Sequence, residues 1–169
     1  MSRPSDRDAA PTQFEGPATV VAWIRLLHRG AADHELWRAL THDLRLTVCQ
    51  LYLMSVGSAG DEIRAARLAS VASAETDFPH VLRRQCQAWR KAFLPLARGS
   101  AAAEGVAVGA DLEMVTVTAR PVRPGRAGLP PARYRFLVRY HRRGAVIAAF
   151  GHRLPVPGWP PTQWSIPHL

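Results

Sequence analysis

The side chains that could do chemistry in this 169-residue chain are few and scattered. His42 and Asp43 stand side by side and could serve as an acid–base pair, but Asp43 better suits the first turn of a helix begun at Thr41, where a carboxylate meets the positive end of the helix dipole. The seven histidines show no i, i+4 spacing and no accompanying Cys or carboxylate at ligand spacing, so no metal site is expected. Cys49 and Cys86 form no CxxC pair and read as two buried free thiols. The chain has no GxSxG, no GxGxxG after a strand and no phosphate-cradling glycine loop, and no cofactor is implied.

Charge carries more information. All 13 carboxylates and 13 of the 22 Lys and Arg lie within the first 113 residues, which are therefore neutral. After Glu113 come nine arginines and no acidic residue, so the net +9 belongs to the C-terminal third. Such asymmetry is a signal for a polyanionic partner. Arg133, Arg135 and Arg139, with Arg142 and Arg143 at a turn, are the candidate contacts, and nucleic acid the candidate polyanion. The near-exclusive use of arginine, with Lys91 the only lysine, also fits the codon pressure of a GC-rich bacterial genome, which weakens the functional reading.

The elements that would position these residues follow from periodicity. Length and 47% hydrophobic content fit one domain with a sizeable core. Residues 1–15 read as a mobile leader, with neither an apolar export segment nor a membrane span; the expected location is cytoplasmic. Gly16-Pro17 opens a helix bearing Val20, Ile24 and Leu27, which Gly30 closes. Asp33 is the expected N-cap of a short second helix. Residues 41–56 fit a helix through Leu44, Val48 and Leu51, yet Leu44, Leu46 and Val48 also alternate as a strand would; the length favours helix. Helices are expected after Asp61 and from Asp77-Phe78-Pro79, the latter through Trp89 and Phe93. Ser100–Gly105 reads as a small-residue linker.

From Val106 the period becomes two. Asp111–Thr118 reads as a strand, and Ala119–Pro131 as a loop. Tyr134, Phe136, Val138 and Tyr140 alternate with Arg133, Arg135, Leu137 and Arg139, and Val146–Phe150 returns after the turn at Arg142-Arg143-Gly144. Residues 155–169, rich in Pro and Trp, read as a strap held by burial of Trp159 and Trp164, after a single α+β domain spanning 16–154. The fold class is therefore α+β, with N-terminal helices packed on a curved C-terminal antiparallel sheet.

On the strings GPATVVAWIRLLHRG, LWRALTHDLRL, RYRFLVRY and AVIAAFG, the chain resembles the nuclear-transport-factor-2-like superfamily, which includes SnoaL-like polyketide cyclases and ketosteroid isomerases. The resemblance covers residues 16–155 as an order of elements. It implies a pocket between sheet and helices, which Trp23, Tyr52 and Trp89 would line, and frequent dimerisation, hence a homodimer. Enzymes of this type use carboxylic acids aimed into the pocket, and the strands after Glu113 offer none. The leading expectation is therefore a non-enzymatic binding or protein-interaction module, for a small apolar ligand or a protein partner, with an apolar pocket and a basic C-terminal face. The alternatives are a nucleic-acid-associated protein using the C-terminal arginines and a cyclase- or isomerase-like enzyme using His42 or Asp43.

Overall fold

Amphipathic periodicity places the first helix and, through it, the core. The computed structural model describes residues 15–121 and 130–166. All but Glu15 of the expected leader, residues 122–129 of the loop and 167–169 of the tail lie outside that range. Helix α1 (Glu15–Arg29) buries Val20, Trp23, Ile24 and Leu27, the i, i+3, i+4, i+7 stripe of a helix laid on a sheet. Gly30, at φ 75°, ends it in a conformation that costs other residues strain. Then come α2 (Asp33–Arg38), α3 (His42–Ser55), α4 (Glu62–Leu68), α5 (Phe78–Ala92) and a 3₁₀ turn, η1 (Leu94–Arg98).

Residues 42–55 are helical. Thr41 caps α3, its hydroxyl accepting from the Leu44 amide at 3.4 Å, and Leu44, Cys49 and Leu53 turn inward. Asp61 caps α4, accepting from the Arg64 amide at 2.9 Å. Asp33 does not cap α2: it is that helix's first residue, and its carboxylate takes an ion pair from Arg90 at 2.9 Å. A stronger charged partner from α5 has claimed the side chain that local sequence assigned to the cap.

Four antiparallel strands follow in the order β1-β2-β3-β4: β1 (Ser100–Ala107), β2 (Leu112–Ala119), β3 (Arg133–His141) and β4 (Gly144–Phe150). The expected linker at Ser100–Gly105 is therefore part of a strand. Its Ala, Ser and Gly have little strand propensity, and pairing with β2 supplies the order that propensity does not. Residues 39–41 bridge the outer edge of β4 through Thr41 N–H to Ile147 O, 2.9 Å, and Ile147 N–H to Ala39 O, 2.9 Å. That edge is thus covered, as exposed edges of sheets usually must be.

The two sheet faces bury different things. Val115, Val117, Phe136, Val138 and Ile147 face the helices and complete the main core with α1, α2, α3 and α5. On the outer face Leu112, Leu137, Ala148 and Ala149 meet Ile166 and Leu154 in a smaller cluster. The cover there is a hairpin, β5 (Arg153–Val156) with β6 (Thr162–Ser165), so the proline-rich tail forms a separate two-stranded sheet. Only part of its expected tryptophan burial is realised. Trp159 is half-buried against the main core, whereas Trp164 is 52% exposed.

Candidate functional site

Between α1, α5 and the sheet the expected pocket-lining tryptophans are packed ring on ring. Trp23 stands edge-on to Trp89 at 5.7 Å and to Phe93 at 6.0 Å, and lies 5.2 Å from Phe150. Phe93 and Phe136 fill the next layer at 5.3 Å, and Trp23 donates its indole N–H to Leu36 O at 3.2 Å. Trp23 keeps 1% of its surface exposed and Trp89 5%. Large aromatics packed ring on ring at this depth behave as core. Tyr52 stands apart from them, half-buried and 6.1 Å from the exposed His80.

His42 and Asp43 are exposed in the first turn of α3. Asp43 lines a cavity of ≈ 180 Å³ with Thr41, Arg139, Leu154 and Trp164, at the seam between α3 and the β5–β6 hairpin. His42 does not line it. Arg139 reaches Asp111 Oδ2 at 3.5 Å, so its charge is partly engaged within its own sheet.

One carboxylate that sequence reading passed over is better placed than either. Glu113 shares the helix-facing side of β2 with Val115 and Val117, and only 5% of it is exposed. It accepts a hydrogen bond from the Tyr140 hydroxyl, which in turn accepts from the Gly16 amide at 2.9 Å. Gly16 and Gly105 flank the carboxylate so closely that a Cβ at either position would collide with it. Burial, then the bond to Glu113, pushes the Tyr140 phenol up to about 12. The pair lines neither that cavity nor the cleft between α1 and η1. It locks the start of α1 onto the sheet.

The cysteines are inert by environment. Burial pushes both thiols up to about 12, with Asp33 adding to the effect at Cys86 and Arg45 opposing it at Cys49. A thiol so held supplies almost no thiolate near neutrality. Among the described residues no group of three His, Cys, Asp or Glu is placed to hold a metal ion.

The site that stands out is cationic. A cleft of ≈ 290 Å³ opens where the second half of α1 meets η1 and the adjoining ends of β1 and β2. Helical spacing brings Arg25, His28 and Arg29 to it from α1, η1 brings Arg98, and Arg120 enters just beyond β2. Val21, Ile24 and Leu96 supply apolar wall. No carboxylate lines the cleft among the described residues, and none of its four arginines has an ion pair there. Arg120 is anchored through Nε to Ser100 O at 3.2 Å, and His28 Nε2 lies 3.0 Å from Phe93 O. All four arginines are exposed, so their mutual repulsion is largely screened by water and salt. Four cations without a lining carboxylate nonetheless make the cleft a locally positive surface that attracts anions.

The five arginines singled out from the sequence divide into three groups. Arg133 and Arg135 are exposed on the outer face of β3, opposite Thr118 and Thr116, at the end of the sheet that holds the cleft. Arg139 lies midway, beside Asp111. Arg142 and Arg143 are exposed at the β3–β4 turn, the far end. Comparisons with protein-family models, with curated proteins and with solved structures find no match for this chain.

Proposed function

We propose that this chain is a non-enzymatic binding module that takes an anionic, phosphate-bearing ligand in the cleft between α1 and η1. The observation that carries the reading is the convergence of Arg25, Arg29, Arg98 and Arg120 with His28 on one cavity, with no lining carboxylate among the described residues. Arginine forks match phosphate geometry bidentately, and at these exposed positions each contact contributes up to about 1 kcal/mol, so affinity must come from several together. The apolar wall accommodates an organic body attached to the phosphate. The aromatic residues expected to receive an apolar ligand are spent instead on core packing, which moves the proposed site from inside the fold to its surface. The nuclear-transport-factor-2-like resemblance stays with the proposal: helices followed by an antiparallel meander support it.

Titration calorimetry with inorganic pyrophosphate and with adenosine monophosphate at low salt tests the reading. Both ligands are expected to bind, adenosine monophosphate the more tightly through its apolar contact, and Arg25→Ala with Arg98→Ala is expected to weaken both at least tenfold. Heats no larger than dilution at millimolar ligand would refute it.

A further inference from the structure

The cleft and the outer-face arginines belong to one surface. Ser100, at the cleft, pairs with Ala119; Thr118, one residue earlier on β2, pairs with Arg133, and Thr116 with Arg135. Arg120 sits between the two groups, lining the cleft while its amide reaches back to Gly99 O at 3.3 Å. The cationic path thus runs from Arg25 and Arg29 on the helix side, over Arg120 at the sheet end, to Arg133 and Arg135 on the outer face. The last two stand on the same face two residues apart, about 7 Å along the strand, a step that one nucleotide spans.

We propose, building on the anion-binding reading of the cleft, that the ligand is single-stranded nucleic acid whose backbone leaves the cleft over Arg120 and continues along Arg133 and Arg135. The path turns from one face of the sheet to the other within a few residues. A duplex, stiff over about 50 nm, does not follow such a turn, whereas a single strand does. Half-buried Val21, lying over Ile24 and Leu96 of the core, gives a base or sugar an apolar contact that an inorganic polyanion has no use for. Arg142 and Arg143 lie off the path: β3 runs six positions, about 20 Å, from Arg135 to its end at His141 before the turn that carries them. They provide a control of equal charge.

Fluorescence anisotropy of a labelled twelve-nucleotide oligothymidine, followed from 25 to 200 mM salt, tests this. The single strand should bind at least tenfold more tightly than the corresponding duplex, and more tightly than polyphosphate of matched charge. Arg133→Glu with Arg135→Glu should weaken the oligonucleotide at least tenfold, lower the salt slope by about 1.4 for two lost contacts, and leave pyrophosphate within twofold. Arg142→Glu with Arg143→Glu should change oligonucleotide affinity less than threefold, and far-UV circular dichroism should find both variants folded. Equal effects from the two arginine pairs, or polyphosphate binding as tightly as oligonucleotide, would overturn the single-strand assignment while pyrophosphate binding kept the cleft reading intact. Loss of pyrophosphate binding in the parent chain would remove both.

Discussion

At the scale of single residues, the buried carboxylate of Glu113 organises more of the molecule than any titratable group picked out from the sequence. It is held by Tyr140 and enclosed by Gly16 and Gly105, so one acidic side chain explains two glycines. Gly105→Ala should destabilise the fold by about 1–3 kcal/mol, the range for forcing extra volume into a filled site. Glu113→Ala should be destabilising alone as well, because the Tyr140 hydroxyl loses its acceptor. The double variant should be less destabilised than the sum of the two, since the new methyl then occupies space the carboxylate has vacated. Urea denaturation of the three proteins measures that coupling, and strict additivity would contradict the cradle. A sign of Glu113 was present in the sequence: Glu113, Val115 and Val117 share one parity, which puts the carboxylate on the core face. Counting it only as the last acidic residue hid that. Asp33 was misread for the opposite reason, because its partner Arg90 is 57 residues away and local sequence carries no trace of the pair.

At the scale of elements, helices were legible wherever capping and periodicity agreed, as in α1 and α4. The segment 41–56 held two periods at once, and what decides it is contact across the fold. Arg45 is buried in α3 and donates to Leu40 O at 2.6 Å and Ala69 O at 2.8 Å, tying α3 to the ends of the segments before and after it. Burial lowers its pKa, so its charge rests on carbonyl dipoles. Arg45→Ala should therefore cost about 2–4 kcal/mol, more than a surface arginine could, because it strands two carbonyls and empties a buried site. Arg38→Ala, on the exposed side of α2, should stay within about 0.5 kcal/mol, and thermal denaturation of the two variants beside the parent measures the contrast. Strand β1 was hidden because its small residues serve the neighbours above them, not strand propensity. Pro17 and the Glu113 carboxylate both lie where a side chain at Gly105 would go. Trp164 shows the reverse limit, since a residue type that favours burial is left half in water when its hairpin covers only part of the sheet.

For the whole molecule, charge read along the chain and charge read in space give different maps. The first 113 residues sum to zero, yet three of the four arginines in the cleft come from them, and no carboxylate among the described residues lines it. Conversely, Arg120, Arg133 and Arg135 lie at one end of the sheet and Arg142 and Arg143 at the other. The fold class was legible because binary patterning fixes it; the cleft was not, because it joins residues from 25 to 120 that no local pattern connects. A second global property follows from the buried groups. Cys49, Cys86 and Tyr140 all have raised pKa values near 12. The folded chain therefore keeps protons that the unfolded chain releases above about pH 8.5 for thiols and about pH 10 for the phenol. Their contribution is complete below that range and declines as pH rises toward 12, by about 1.4 kcal/mol per pH unit for each thiol while only the unfolded form ionises. Chemical denaturation at pH 8 and pH 10.5 should reveal the decline, and Cys49→Ala with Cys86→Ala should flatten it; a parent curve that is flat with pH would contradict the burial of these groups.

The cleft has walls from two layers, helix α1 on one side and the ends of β1 and β2 on the other. An anion seated there acts as a non-covalent clasp between the two layers at the end of α1 opposite the Gly16–Tyr140–Glu113 link, and only the native chain presents both halves of it. Any true ligand must then raise the melting temperature, with a gain of about 2.7 kcal/mol at a hundredfold excess over its dissociation constant. Thermal shift across a library of phosphorylated compounds and oligonucleotides thus lets the protein report its own ligand, with Arg25→Ala/Arg98→Ala as the silent reference.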